Sequence, residues 1–488
     1  MINGGASLYP EYKKEHAGKK NAKVYCVNYE TQEGIDFTNP LFQNADGSSR
    51  ILYIWDQSLK REREVAGVAF GIEYTQEEIT MALQSDNPKE LIPHEDVNYH
   101  GTFVAAIAAG NISEEQDFTG VAPYADIIMV KLKEAKENLR SFYGIQSGIP
   151  CYQENDIMMG VAYLRRKAGE LQKPIVIFIG VGTNAGSHEG MMPLGVYLNR
   201  IGSFAGTCTV VAGGNENNLG HHYEGIMEGG MESEVELDVG RNEDFTMEIW
   251  ANPQSFLSVG FISPTGEFSE RIPIRSYEQT IDFVFEQTRI FVHYERIEYY
   301  SGRELIAIRF RSPTEGIWRI RIFNLEQEAT DFNIWLPMRH FISDRTSFIE
   351  PSPNITLCEP GNVNRVITVA AFNHRNNSIF LESSRGYTAN HTIKPDIAAP
   401  GVEVYGPVSP LRFGERSGTS VAAAHTAGVA AMLLEWAIYG QNDIGMNTTT
   451  CKQYLIKGAR REGMTTPNRS FGWGEVDIYN TFASLRRY

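Results

Sequence analysis

The sequence predicts an α/β fold: a parallel sheet with helices on both faces, interrupted by an inserted all-β sandwich. Three observations predict it. Short apolar runs alternate with helical patterns up to residue 224, and period-2 alternation replaces the helical signal over residues 225–344. The α/β pattern then resumes over residues 345–488 and includes a long apolar helix. Strands alternating with helices imply a parallel sheet covered on both faces. Short alternating strands between polar turns imply a sandwich.

The first α/β part, residues 32–224, can be read element by element. Residues 51–55 (ILYIW) form a strand, and Thr75 with Glu78 makes a capping box that opens a helix. His100 to Gly110 is a small-residue buried helix. Residues 125–132 form a strand entered through the turn Gly120-Val121-Ala122-Pro123. Helices are expected over about 156–171 and 192–206, and strands over 174–180 and 208–212. In the inserted part, Val235, Leu237 and Val239 alternate with acids. So do Phe245/Met247/Ile249, Ile306/Ile308/Phe310 and Trp318/Ile320/Ile322 with their own polar neighbours. Afterwards come a strand at 366–371, a turn-rich connector at 394–401 and the apolar helix 420–436.

Composition narrows the function. The 488 residues can bury a large core. The balance of 44 basic against 60 acidic residues, formally −16, argues against nucleic acid or an anionic membrane as partner. The cysteines Cys26, Cys151, Cys208, Cys358 and Cys451 are scattered and odd in number, which fits a reducing compartment better than a disulfide framework. The polar, lysine-rich stretch 11–23 is no secretory signal. No apolar run of the ~20 residues that span a bilayer is expected.

Three positions carry chemistry. Ser420 follows Gly418-Thr419 and opens the apolar helix, so backbone N–H groups and the positive end of the helix dipole lie beside its oxygen. Alone, it also reads as an N-cap. His100 opens its own helix before Gly101-Thr102, where a fixed imidazole can act as a base; alone, it also reads as a structural histidine. Asn215 follows Gly213-Gly214 at the end of a buried strand, and its carboxamide can donate to an oxyanion or simply make a turn.

Together the three resemble the subtilisin-like serine proteases. In that family His-Gly-Thr carries the base, a Gly-Asn turn the oxyanion donor and Gly-Thr-Ser the nucleophile. The turn at 120–123 and residues 394–401 (KPDIAAPG) are family-like too. Residues 34–40 (GIDFTNP), 46–51 (DGSSRI) and 55–57 (WDQ) resemble the clostridial spore-germination (Csp-type) branch, in which the inserted sandwich is a jelly roll. The resemblance implies a subtilisin-like fold, peptide hydrolysis and a protein or peptide substrate. Calcium sites occur in the family, but no Asp-rich loop or Gly-rich phosphate loop stands out, so no metal or cofactor is expected; without a signal or spanning segment, a cytoplasmic or spore-associated setting is expected. Gly180-Val181-Gly182 falls at the family's substrate-binding strand, usually Ser-Leu-Gly.

The chain departs from the pattern in places. The triad acid, normally Asp in Asp-Thr/Ser-Gly, aligns with Gln32 of Gln32-Glu33-Gly34; an alternative alignment puts Asn28 there. Asp36 is a less favoured stand-in, as are Glu30 and Glu33. Loss of the acid in this triad class costs about 10⁴-fold in rate, so an impaired protease and a pseudoprotease with a binding or regulatory role both follow. Ala424 replaces a usual proline, and His425 reads as a packing residue. Residues 1–31 match the family poorly and leave little room for its pro-segment, so three alternatives stand: unaided folding, a separate pro-segment or regulatory chain as partner, or a misassigned start. His221-His222-Tyr223-Glu224 lacks helical ligand spacing and is expected in a loop, without a metal.

Overall fold

The protein is described by a computed structural model over residues 25–27, 34–60, 68, 70–241 and 244–485. Its largest sheet has nine strands. Eight of them lie in the order Ser378–Ile379, Ile367–Asn373, Thr207–Ala212, Ile175–Ile179, Tyr25–Val27, Asp126–Lys131, Ile51–Asp56 and Ile72–Thr75. The inner six run parallel, and the outermost strand at each end is antiparallel. Ile175–Ile179 is apolar and buried throughout, and Thr207–Ala212 is buried throughout, because helices cover both faces.

Most expected elements appear within a residue or two. Thr75 and Glu78 form both halves of the capping box over Gln76–Leu83. Two expectations are corrected. The helix forecast over 192–206 is shorter, Pro193–Ile201, and a chain turn with Gly206 at φ +74° then enters the next strand. The 394–401 connector contains a strand, Ile397–Pro400, which pairs in parallel with Ile367–Asn373.

The helix that begins with Thr419–Ser420 runs to Leu434 and continues as a π-helical turn, Glu435–Tyr439. Contrary to expectation, Thr419–Tyr439 is long and apolar enough to cross a membrane, but 78% of its apolar window is buried inside the protein. It packs on the other small-residue helix, His100–Ala109. A Cβ at Gly428 would lie 2.8 Å from the Ala108 carbonyl oxygen and 2.5 Å from Val121 Cβ. The close approach therefore requires glycine at 428.

Apart from a two-stranded ribbon, Val404–Ser409 with Arg412–Arg416, the remaining described strands form two antiparallel sheets facing a shared apolar core. One has six strands, in the order Gln279–Phe283, Thr288–Glu295, Glu304–Arg311, Asp244–Ala251, Thr330–Trp335 and His222–Met227. The other has four: Leu257–Ile262, Gly316–Asn324, Glu232–Val239 and Ser347–Phe348. The residues singled out by alternation, from Val235 to Ile322, fill the space between them. The strands reach slightly further on both sides than the alternation suggested. His222–Glu224 lie in the first of these strands rather than in a loop, where His222 and Glu224 pair with Trp335 and Asn333 of Thr330–Trp335. Histidine and glycine in this strand mask its period. Cys151, Cys208, Cys358 and Cys451 are all buried.

Candidate active site

Two helix N-termini and one strand end converge. His100 Nε2 lies 3.0 Å from Ser420 Oγ, although the residues are 320 apart in sequence. With Nε2 accepting from the hydroxyl, the neutral ring carries its proton on Nδ1. Ser420 is 6% exposed and His100 is half-buried.

Asn215 stands at the end of the strand Thr207–Ala212, past the two glycines. Its Oδ1 accepts from the Thr419 N–H and from the Thr419 hydroxyl, both at 3.0 Å. The Thr419 hydroxyl in turn accepts from the Gly214 N–H at 3.1 Å. With Oδ1 so engaged, Nδ2 carries the amide's remaining donors. A single point beside Gly418, where a Cβ would stand, is 3.3 Å from Ser420 Oγ and 3.6 Å from Asn215 Nδ2. A tetrahedral centre on the serine would place its oxyanion within reach of that amide. Read from sequence, Thr419 had no role beyond preceding Ser420, and these contacts were missed. Its place between glycine and serine, with a side-chain oxygen, was the available signal.

Gly180, Val181 and Gly182 are half-buried and follow the strand Ile175–Ile179. Beyond them, Thr183 and Glu359 exchange backbone hydrogen bonds of 3.0 and 2.9 Å, and the Cys358 N–H donates to Gly213 O at 3.0 Å. Residues 358–359 thus bridge the segment 180–183 and the turn of Asn215.

The acid candidates Gln32 and Asn28, with Glu30 and Glu33, lie outside the described residues. Asp36 is 5% exposed and its oxygens are engaged elsewhere: Oδ1 accepts from the Thr38 hydroxyl at 2.6 Å and Oδ2 from the Tyr99 hydroxyl at 2.7 Å. Burial, followed by the Asp36 charge, pushes the Tyr99 phenol well up, so it stays a donor. The backbone after position 33 is stitched to the base of the His100 helix. Gly34 N–H donates to Glu95 O at 3.2 Å, Ile35 N–H to His94 Nε2 at 3.0 Å and Asp36 N–H to Thr102 Oγ1 at 2.8 Å. His94 Nδ1 lies 2.7 Å from Asp56. Burial works to raise the Asp56 carboxyl, but His94 and Lys131 outweigh it and hold it below the usual range. His425 Nδ1 lies 3.1 Å from Val421 O, one turn back in its own helix.

Residues 32–286 and 350–474 match the sequence profile described as Peptidase S8, subtilase family. This chain belongs to the subtilase family. Its fold superposes on the structure of the Clostridium perfringens CspB protease with a TM-score of 0.87. The two are 31% identical, and the match covers 99% of this chain and 97% of that one. Among curated subtilases, Bacillus subtilis serine protease AprX is 30% identical over 146 residues, 26% of this chain and 31% of AprX. Arabidopsis thaliana subtilisin-like protease SBT4.7 is 30% identical over 125 residues, 22% of this chain and 18% of that protein. The matched stretches span less than a third of these two relatives. The subtilase fold accounts for the parallel sheet and its helices, and the additional antiparallel sheets fit an inserted β domain.

Proposed function

We propose that this subtilase is a serine endopeptidase. Ser420 Oγ attacks a peptide carbonyl, and His100 takes the hydroxyl proton and returns it to the leaving amine. Asn215 Nδ2 and the Ser420 backbone N–H hold the oxyanion. The 3.0 Å contact of His100 Nε2 with Ser420 Oγ carries this reading. The segment Gly180-Val181-Gly182 would pair with extended substrate by main-chain hydrogen bonds. Residues 32–224 and 345–488 act as one catalytic unit around a jelly-roll insert, 225–344. The substrate is a protein or peptide, and the Csp-type resemblance points to spore germination.

A second reading is a pseudoprotease that keeps the cleft for binding. Gln32 favours it, because a neutral side chain aligns with the acid and the Asp36 oxygens are bound by Thr38 and Tyr99. Reaction of the purified protein with a fluorophosphonate, with Ser420→Ala as control, separates the two. Labelling that depends on Ser420 supports the endopeptidase; its absence leaves the binding module.

A further inference from the structure

If Ser420 attacks a carbonyl whose oxygen points at Asn215 Nδ2, the geometry locates one substrate side chain. The Cα of the acyl residue is one bond from the attacked carbon. With the residues before the scissile bond paired to 180–182, its side chain lies between Gly182 and the Gly213-Gly214 backbone that precedes Asn215, since Gly182 and Gly214 share Cys358 as a neighbour. The facing wall is Gly182 of the substrate segment. Both walls lack side chains, so they should enclose a deep slot.

The slot is filled from below. A Cβ at Gly214 would lie 2.4 Å from Cys358 Sγ, and one at Gly182 would lie 2.7 Å from Cys358 Cβ. A Cβ at Gly213 would lie 3.2 Å from Leu357 Cδ2. Cys358 is 1% exposed and Leu357 is fully buried. The thiol cannot swing aside easily, because Sγ donates to Asn184 Oδ1 at 3.4 Å. Asn184 is itself tied to Glu216 Oε2 at 3.0 Å and Leu336 O at 3.3 Å. Burial pushes the Cys358 thiol far above its ordinary value, so it is neutral. The nearby Glu216 carboxylate is taken up by Asn184, by His221 Nδ1 at 2.7 Å and by the Arg339 N–H at 3.2 Å. Neither depth nor free charge is on offer.

We propose that Cys358, braced by Asn184, floors the recess between Gly182 and Gly214 and limits the residue before the scissile bond to glycine, alanine or serine. This inference rests on the endopeptidase reading. A misfitting methylene in such a recess costs on the order of 10–200-fold in kcat/KM, so leucine, phenylalanine and lysine are rejected by about 10²-fold or more.

The test uses internally quenched peptides that differ only at that residue: Ala, Ser, Leu, Phe or Lys. The full chain should cleave the Ala and Ser peptides about 10²-fold faster than the others. Cys358→Gly should shrink this ratio at least ~10-fold by admitting Leu and Phe, while Cys358→Ser should keep it. A preference for Leu, Phe or Lys in the native chain overturns the proposal, as does a ratio unmoved in a folded Cys358→Gly variant. A readout without turnover separates this from failure of the endopeptidase reading. Calorimetric titration of Ser420→Ala with product peptides ending in Ala or Phe should show tighter binding of the Ala peptide. That result in a chain inert to fluorophosphonate supports the recess and removes the protease. Equal binding of the two peptides, or binding of neither, overturns the recess.

Discussion

The Thr419 hydroxyl donates to Asn215 Oδ1 at 3.0 Å while accepting from the Gly214 N–H at 3.1 Å. One side chain therefore fixes both the place and the orientation of the carboxamide. On the endopeptidase reading Asn215 is an oxyanion donor, and removing such a donor costs about 10²–10³-fold in kcat, a magnitude established in subtilisin. Thr419→Val keeps the shape and the backbone N–H bond but frees the amide to rotate. We expect kcat to fall roughly 10-fold, with KM little changed, because the lost interaction belongs to the transition state. Steady-state kinetics on one peptide substrate, alongside Asn215→Ala, check this. A fall in Thr419→Val that matches Asn215→Ala would mean the amide depends wholly on Thr419.

Gln32→Asp tests the acid position directly. A carboxylate there would orient His100 and stabilise its charged form, and that contribution reaches about 10⁴-fold in this triad class. The expected outcome is a large rise in kcat/KM with Ser420-dependent labelling retained. Asp36→Asn is expected to leave the rate nearly unchanged, because Asp36 serves Thr38 and Tyr99. The reverse pattern would assign the acid role to Asp36.

The parallel sheet and the sandwich core were readable because burial on both faces enforces apolar runs and burial on one face enforces alternation. His100, Asn215 and Ser420 were readable because each sits where a rigid element begins or ends, beside small residues. Ile397–Pro400 was hidden in a proline-rich connector, since a four-residue strand paired to Ile367–Asn373 carries little signature of its own. Strand His222–Met227 was hidden by its histidine and glycine. Cys358 carried no local signal at all. Its role comes from long-range contact with Gly182 and Gly214, which only the folded chain displays.

Two histidines flank the buried Trp335, with ring centroids at 3.9 Å for His188 and 4.9 Å for His222. Burial pulls both below the ordinary histidine value, His188 to about 4. For His222, burial outweighs the Asn333 side chain, the Glu224 charge and the Asn354 and Ser352 backbone, all of which favour the charged ring; Nε2 bonds Asn333 Oδ1 at 2.9 Å. The unfolded chain takes up this proton first as pH falls. The stability that the neutral ring provides is thus present above about pH 6.5 and is lost on acidification towards the folded value. His222→Gln removes that proton. Between pH 7 and 5 its denaturation midpoint should drop less than that of the native chain. The gap should narrow by up to ~1.4 kcal/mol per pH unit. Parallel pH slopes for the two proteins would rule out a neutral buried His222.

The contact of the two small-residue helices sets the last prediction. Gly428 faces Ala108 O and Val121 Cβ at separations of 2.8 and 2.5 Å from the place of a Cβ. Backbone cannot yield as a side chain does, so Gly428→Ala forces the helix Thr419–Leu434 away from His100–Ala109. Overpacking of this kind costs about 1–3 kcal/mol. The same displacement separates Ser420 from His100, because each residue stands at the start of one of these helices. We therefore expect Gly428→Ala to lower the melting temperature and to slow fluorophosphonate labelling together. Gly463→Ala serves as control: it lies outside both helices, and its Cβ would meet nothing within 4 Å. Its positive φ, +72°, strains any side chain, so it should lose about 1 kcal/mol of stability while labelling at the native rate. Loss of labelling in both variants would show that the rate follows global stability rather than the spacing of the two helices.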